Sequence, residues 1–307
     1  MKINKTLEFS ARLVLSTLLL GYLINKISLI AVVNAMKATN LVYVPIILFF
    51  FFTSFVIKAW NYRLLTKPIA NIPFLPLFKT SIFSWATGMF APGKIGEFSA
   101  IYFLKKQGVP LGPATAISIL DKLITTSLLS AVAVVALFFN LKKSQLALEI
   151  LVIAAGSIVV IVLILLNHTL RGFARKHILR KYETNFVGFS KFLLNYGKNN
   201  LHLMIFNYGL AFVWLIVSTV IVWLGLASVG VYTSLVTLFF INTVSIIVSI
   251  IPITLGGLGV RELTAVALFQ QAGWPAAEVL GGYLVVTVIS NLLALLVSIY
   301  AIIAKKY

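Results

Sequence analysis

Of 307 residues, 61% are apolar and only 10% charged, with a mean hydropathy of +1.05; soluble domains carry about 25% charged residues. That balance excludes a soluble globular domain and describes an all-α polytopic membrane protein forming one membrane domain over 1–307. The formal charge of +18 assigns basic loops to an anionic leaflet rather than to nucleic acid, and the absence of cysteine excludes disulfides and thiolate metal sites.

Lys2, Lys5 and Arg12 before Leu13–Ile24 look like the charged and apolar regions of a signal peptide, but a polytopic chain is expected to retain Phe9–Ile24 as its first span. Asn25–Asn40 is polar and carries Lys26 and Lys37. Leu41–Trp60 is a second span of roughly 30 Å, ended by Lys58, Arg63 and Lys67 with Trp60 and Tyr62 at the interface. Pro68, Pro73 and Pro76 make a turn. Phe74–Phe90 is apolar and stops at Pro92-Gly93; Phe98–Leu104 is short, helical and ends at Lys105-Lys106. Gly108, Pro110, Gly112 and Pro113 break the chain before the span Ala114–Phe139, which contains Asp121 and Lys122. Leu146–Leu166 is another span.

His168–Asn200 interleaves Lys and Arg with Phe and Leu. It reads equally as an amphipathic interfacial helix and as a basic cytoplasmic loop, in either case facing anionic leaflet lipids. His168, His177 and His202 lie in or beside it without an acidic cluster, so neither a metal nor a cofactor is expected. Leu203–Leu226 spans, and Tyr232–Ile251 runs into Pro252 and a second glycine loop. Leu263–Phe269 is short, Gly273-Trp274-Pro275 closes it, and Val279–Ala304 spans. The expected architecture is about six full transmembrane helices plus two re-entrant helical hairpins.

The two glycine loops match. Placing Glu97 on Glu262, an offset of 165 positions, brings Ala100 onto Ala265, Gly108 onto Gly273 and Pro110 onto Pro275 without a gap. Similar hydropathy on both sides gives a duplication: 41–139 as repeat 1 with hairpin 74–107, and 203–304 as repeat 2 with hairpin 232–272. The 168–200 segment connects them. If each hairpin enters and leaves on one side, the N- and C-termini and nearly all basic segments are cytoplasmic, leaving Lys26, Lys37, Lys142 and Lys143 outside. The hairpins then dip from opposite faces, the inverted arrangement typical of secondary transporters.

Irregular backbone at membrane depth is tolerated where it is buried in protein or lines a wet cavity. Gly93, Gly96, Gly256, Gly257 and Gly259 allow close approach to the backbone, and the helix starts near Glu97 and Glu262 offer unpaired N–H groups to a phosphate. Lys94 and Arg261 add one cation to each loop. Glu97 and Glu262 either hold those cations or carry a proton in an empty substrate site, or they pair with them structurally. Asp121 and Lys122 are adjacent, hence about 100° apart on a helix, and are expected to face a cavity and a partner such as Lys94 or Glu97. Asn242, Ser245, Ser249 and Asn291 are candidate polar glue between helices.

Pro92-Gly93-Lys94-Ile95-Gly96-Glu97, Gly108-Val109-Pro110 and Gly256-Gly257-Leu258-Gly259-Val260-Arg261-Glu262 resemble the lysylphosphatidylglycerol synthase transmembrane-region family, also called the flippase-like domain family, over nearly the whole chain. The resemblance implies translocation of lipid between the leaflets of the cell (inner or plasma) membrane. After Ala304 only Lys305-Lys306-Tyr307 follow, so it does not extend to the soluble aminoacyl-transferase domain of bifunctional members. By the match, Lys94, Glu97, Arg261 and Glu262 occupy the motif positions.

The expected function is therefore a flippase or transporter for an anionic or glycosylated phospholipid or a polyprenyl-phosphate lipid, and not an enzyme. A transporter of a small soluble anion is the alternative. A membrane-embedded lipid-modifying enzyme ranks lower, because no nucleophile–His pair, paired carboxylates or metal cluster is seen. A homo-oligomer is compatible with all of these.

Overall fold

The computed structural model describes residues 14–91 except 15, 20, 24 and 26, then 94–136, 188–251 and 254–303. The described parts of 14–27 are helical. After them come α1 (Leu29–Lys37), α2 (Tyr43–Thr66), α3 (Phe74–Met89), a 3₁₀ turn (Ile95–Ser99), α4 (Ala100–Lys106), α5 (Leu111–Val135), α6 (Phe189–Asn199), α7 (Leu201–Ser228), α8 (Leu235–Ser249), α9 (Val260–Gln271) and α10 (Ala276–Ile303). Among the described residues four helices, α2, α5, α7 and α10, are long and apolar enough to cross a membrane. They coincide with four of the expected spans. Leu146–Leu166, most of Phe9–Ile24 and residues 168–187 of the basic connector lie outside the described residues.

Three local expectations change. The polar connector Asn25–Asn40 contains α1, because Leu29, Ile30, Val32 and Val33 give the segment an apolar face, with Val32 buried. Lys58 does not end the second span: α2 continues to Thr66, burying Asn61, Tyr62, Leu65 and Thr66. Gly112 and Pro113 do not break the chain but sit in the first turn of α5, where a missing proline N–H costs no intrahelical bond.

The described residues fall into two compact units, one drawn from 1–55, 82–97 and 214–307 and the other from 56–81 and 98–213. The second is cored by Tyr62, Leu65, Leu77, Leu104, Ile117 and Tyr196. Here α6 is amphipathic in the expected sense. Phe189, Phe192 and Tyr196, at i, i+3 and i+7, are buried in that core, whereas Lys191 and Lys198 are exposed. The Tyr196 hydroxyl accepts from Asn207 Nδ2 at 3.1 Å. The buried face of α6 is thus covered by protein, and its exposed face carries Lys191, Leu194 and Lys198.

In the first unit, α7 and α10 cross at bare backbone. A Cβ on Gly225 would lie 2.7 Å from the Gly282 carbonyl oxygen, and one on Gly282 the same distance from Leu226 Cα. Small residues permit this approach, the usual basis of helix association in lipid. Gly281 lies against Ala35 of α1, and Ser228 O at the end of α7 accepts from Asn40 N at 2.8 Å. Trp85 of α3 packs edge-on to Phe55 at 5.0 Å.

Candidate functional site

The α3 helix ends at Met89, just before Ala91. Residues 92 and 93, including the candidate Gly93, lie outside the described residues. Before them Ala91 N bonds Gly88 O at 3.2 Å, and after them Glu97 N bonds Lys94 O at 2.9 Å. Lys94 has φ +60°, a left-handed conformation disfavoured for a residue with a Cβ. Gly96 is pressed onto the last turn of α3. Thr87 Oγ1 is 2.8 Å from Gly96 O, and a Cβ on Gly96 would overlap the Thr87 carbonyl.

The second loop is built from Gly256, Gly257 and Gly259, with φ of +57°, +84° and +84°. At Gly257 only glycine combines that φ with contact against Ser249, whose Cβ would lie 2.6 Å from an added methyl. Gly256 is where the loops meet. Its N–H donates to Ala91 O at 3.1 Å, and a Cβ there would stand 2.5 Å from Met89 O. Both segments belong to the first unit, so the motifs that stand 165 positions apart are joined backbone to backbone.

Arg261 and Glu262 begin α9 but do not pair with each other. Glu262 Oε2 accepts the Gly259 N–H at 2.7 Å, capping the helix, and Oε1 accepts from Thr287 Oγ1 of α10 at 2.9 Å. Its side chain is buried and both oxygens are satisfied. This corrects the expectation that Glu262 holds Arg261. It also changes the phosphate site expected at this helix start, since the protein's own carboxylate already caps it. Arg261 instead lies over the Tyr283 ring, its guanidinium carbon 5.4 Å from the centroid, with Nε buried and lacking a hydrogen-bond partner. Removing the hydroxyl in Thr287→Val is expected to lower stability by about 1–2 kcal/mol, because a buried carboxylate oxygen is left without its donor; thermal unfolding in detergent measures it.

Polar groups on α8 face the interior: Asn242, Ser245 and Ser249 are all buried. Ser245 and Ser249 donate to carbonyls of their own helix, Ile241 O and Ile246 O, and Asn291 likewise to Thr287 O. Asn242 crosses to another helix, with Nδ2 3.4 Å from Thr219 Oγ1. Because the Thr219 hydroxyl already donates to Leu215 O, it must accept here, so Asn242 Oδ1 points elsewhere; it is buried and unpartnered.

Asp121 and Lys122 fall in the second unit. Asp121 pairs within that unit. Lys58 Nζ reaches both its oxygens, at 2.6 and 2.7 Å, and Lys122 Nζ stands 3.8 Å away. The carboxylate is 3% exposed and Lys58 19%. Tyr283 and Thr287 were not singled out from sequence, and Lys58 was read only as the end of a span. Each lies inside an apolar run, where a polar or charged side chain has to face protein.

A family model for the lysylphosphatidylglycerol synthase transmembrane region matches residues 9–298. The chain belongs to this family. With its apolar helices, membership makes it a multi-pass membrane protein whose matched part is the family's membrane region. No curated protein matches the sequence.

Proposed function

We propose that this family member moves a phosphate-bearing lipid between leaflets, with the headgroup held at the joined glycine loops and the tails left in the bilayer. The contact between Gly256 and Ala91 carries the reading: it puts two costly polar breaks at one place. The lengths of α3 and α8, 16 and 15 residues, support re-entrant arms, being shorter than the ~20 residues a crossing needs. In this reading the arms enter from opposite faces as inverted repeats, the termini are cytoplasmic, and the protein resides in the cell membrane. Arg261 is the principal headgroup contact, because its Nε lacks a partner while Glu262 is engaged in capping. Lys94 and the glycine backbone are the secondary contacts.

The test is translocation of fluorescent lipids in proteoliposomes. Arg261→Ala is expected to slow phosphate-bearing lipids about 10- to 100-fold, the worth of charge-assisted hydrogen bonds, with Arg261→Lys intermediate because it lacks the planar fork. Equal rates for both variants and for every headgroup would end the proposal. Uptake of inorganic phosphate without lipid movement would favour a soluble anion as cargo, and chemical conversion of a labelled lipid would favour an enzyme.

A further inference from the structure

A cavity of about 380 Å³ opens where α9 turns into α10. Its walls include Leu23 of the N-terminal helix, Val266, Ala267 and Gln270 of α9, and Ala277 and Glu278 of α10. The turn beside it is fixed. Gly273, at φ +83°, lets Trp274 N bond back to Phe269 O at 3.0 Å and Gly273 N to Gln270 O at 3.0 Å, closing α9 in a Schellman arrangement. The space exists because alanines stand where larger side chains would fill it. It is open to the outside, and Ala267 and Gln270 of its lining are exposed.

Two observations define what fits. The α10 helix is one of the spans and begins at Ala276, so the cavity lies at an end of a crossing helix, beside Trp274 and at the depth of lipid headgroups. Glu278 is the only charged side chain among the described lining residues, and it stands in the first turn of α10. An apolar trough with one carboxylate takes an alkyl chain ending near a cation. We infer that this cavity is a second lipid site, holding one acyl chain against Val266 and Ala267 with the headgroup ammonium at Glu278. Its charge preference is opposite to that of Arg261, so its ligand is a resident lipid with an ammonium headgroup rather than the phosphate-selected cargo.

The experiment is native mass spectrometry of the full chain in detergent. The probes are lysophosphatidylethanolamine and lysophosphatidylglycerol of equal acyl length. The wild type is expected to retain the ethanolamine lipid about fivefold better, the upper range for a partly exposed ion pair. Glu278→Gln should erase that preference while still binding both, and Ala267→Trp should reduce retention of both by filling the trough. Equal retention by the wild type, a preference that survives Glu278→Gln, or unchanged binding in Ala267→Trp would each overturn the inference. None of these readouts depends on transport.

Discussion

Lys58→Met is expected to destabilise the protein by about 3–5 kcal/mol, the usual cost of breaking a buried ion pair from one side. Asp121 is 3% exposed and receives both its short bonds from Lys58, and Lys122 at 3.8 Å is too distant to replace them. Asp121→Leu should cost less, because the stranded Lys58 ammonium is 19% exposed and sits on a flexible stem. The double variant Lys58→Met/Asp121→Leu should recover most of the loss, since an apolar replacement of similar volume leaves no charge buried. Tryptophan-fluorescence unfolding of the four proteins in one detergent gives the coupling directly. Additive losses would show that the pair is incidental.

Gly96→Ala is expected to have the largest effect on transport. Its methyl would overlap a backbone carbonyl, that of Thr87, which cannot turn aside as a side chain can. The first loop would have to lift from α3, and the Ala91–Gly256 bond with it. A misplacement of about 1 Å at a working site costs on the order of 100-fold. Gly88→Ala is the matched control. There the obstacle is Glu97 Cγ at 2.5 Å, a side-chain atom that can move, so the loss should be several-fold smaller. Comparing the two in proteoliposomes at equal protein density separates loop position from general crowding.

Family membership was legible in the two glycine motifs because their residues are demanded by backbone shape: the matched segment extends over residues 9–298, and Gly256 and Gly257 do sit at positive φ. Apolar runs likewise located four long helices, although α2 runs six residues past its expected end at Trp60. Partner choice was not legible. The sequence left Asp121 to a cavity or to a motif residue such as Lys94, yet it bonds a lysine 63 positions earlier, because a long stem lets a cation inside a span reach a carboxylate on a neighbouring helix. Glu262 looked like a partner for Arg261 by adjacency. Helix geometry turns neighbours apart, and the free N–H of Gly259 at the helix start captures the carboxylate first. The α1 helix was hidden because Asn34 and Lys37 make a short amphipathic turn look like a loop.

The bare crossing of α7 and α10 bears on how this membrane machine can move. With Gly225, Leu226 and Gly282 meeting at the backbone, neither glycine has space for a side chain, and the two helices are held close. The pair acts as a fixed axle. In the translocation proposed above, α8 and α9 are then the elements to move against it, and the loop between them bonds the first loop through Gly256 and Ala91.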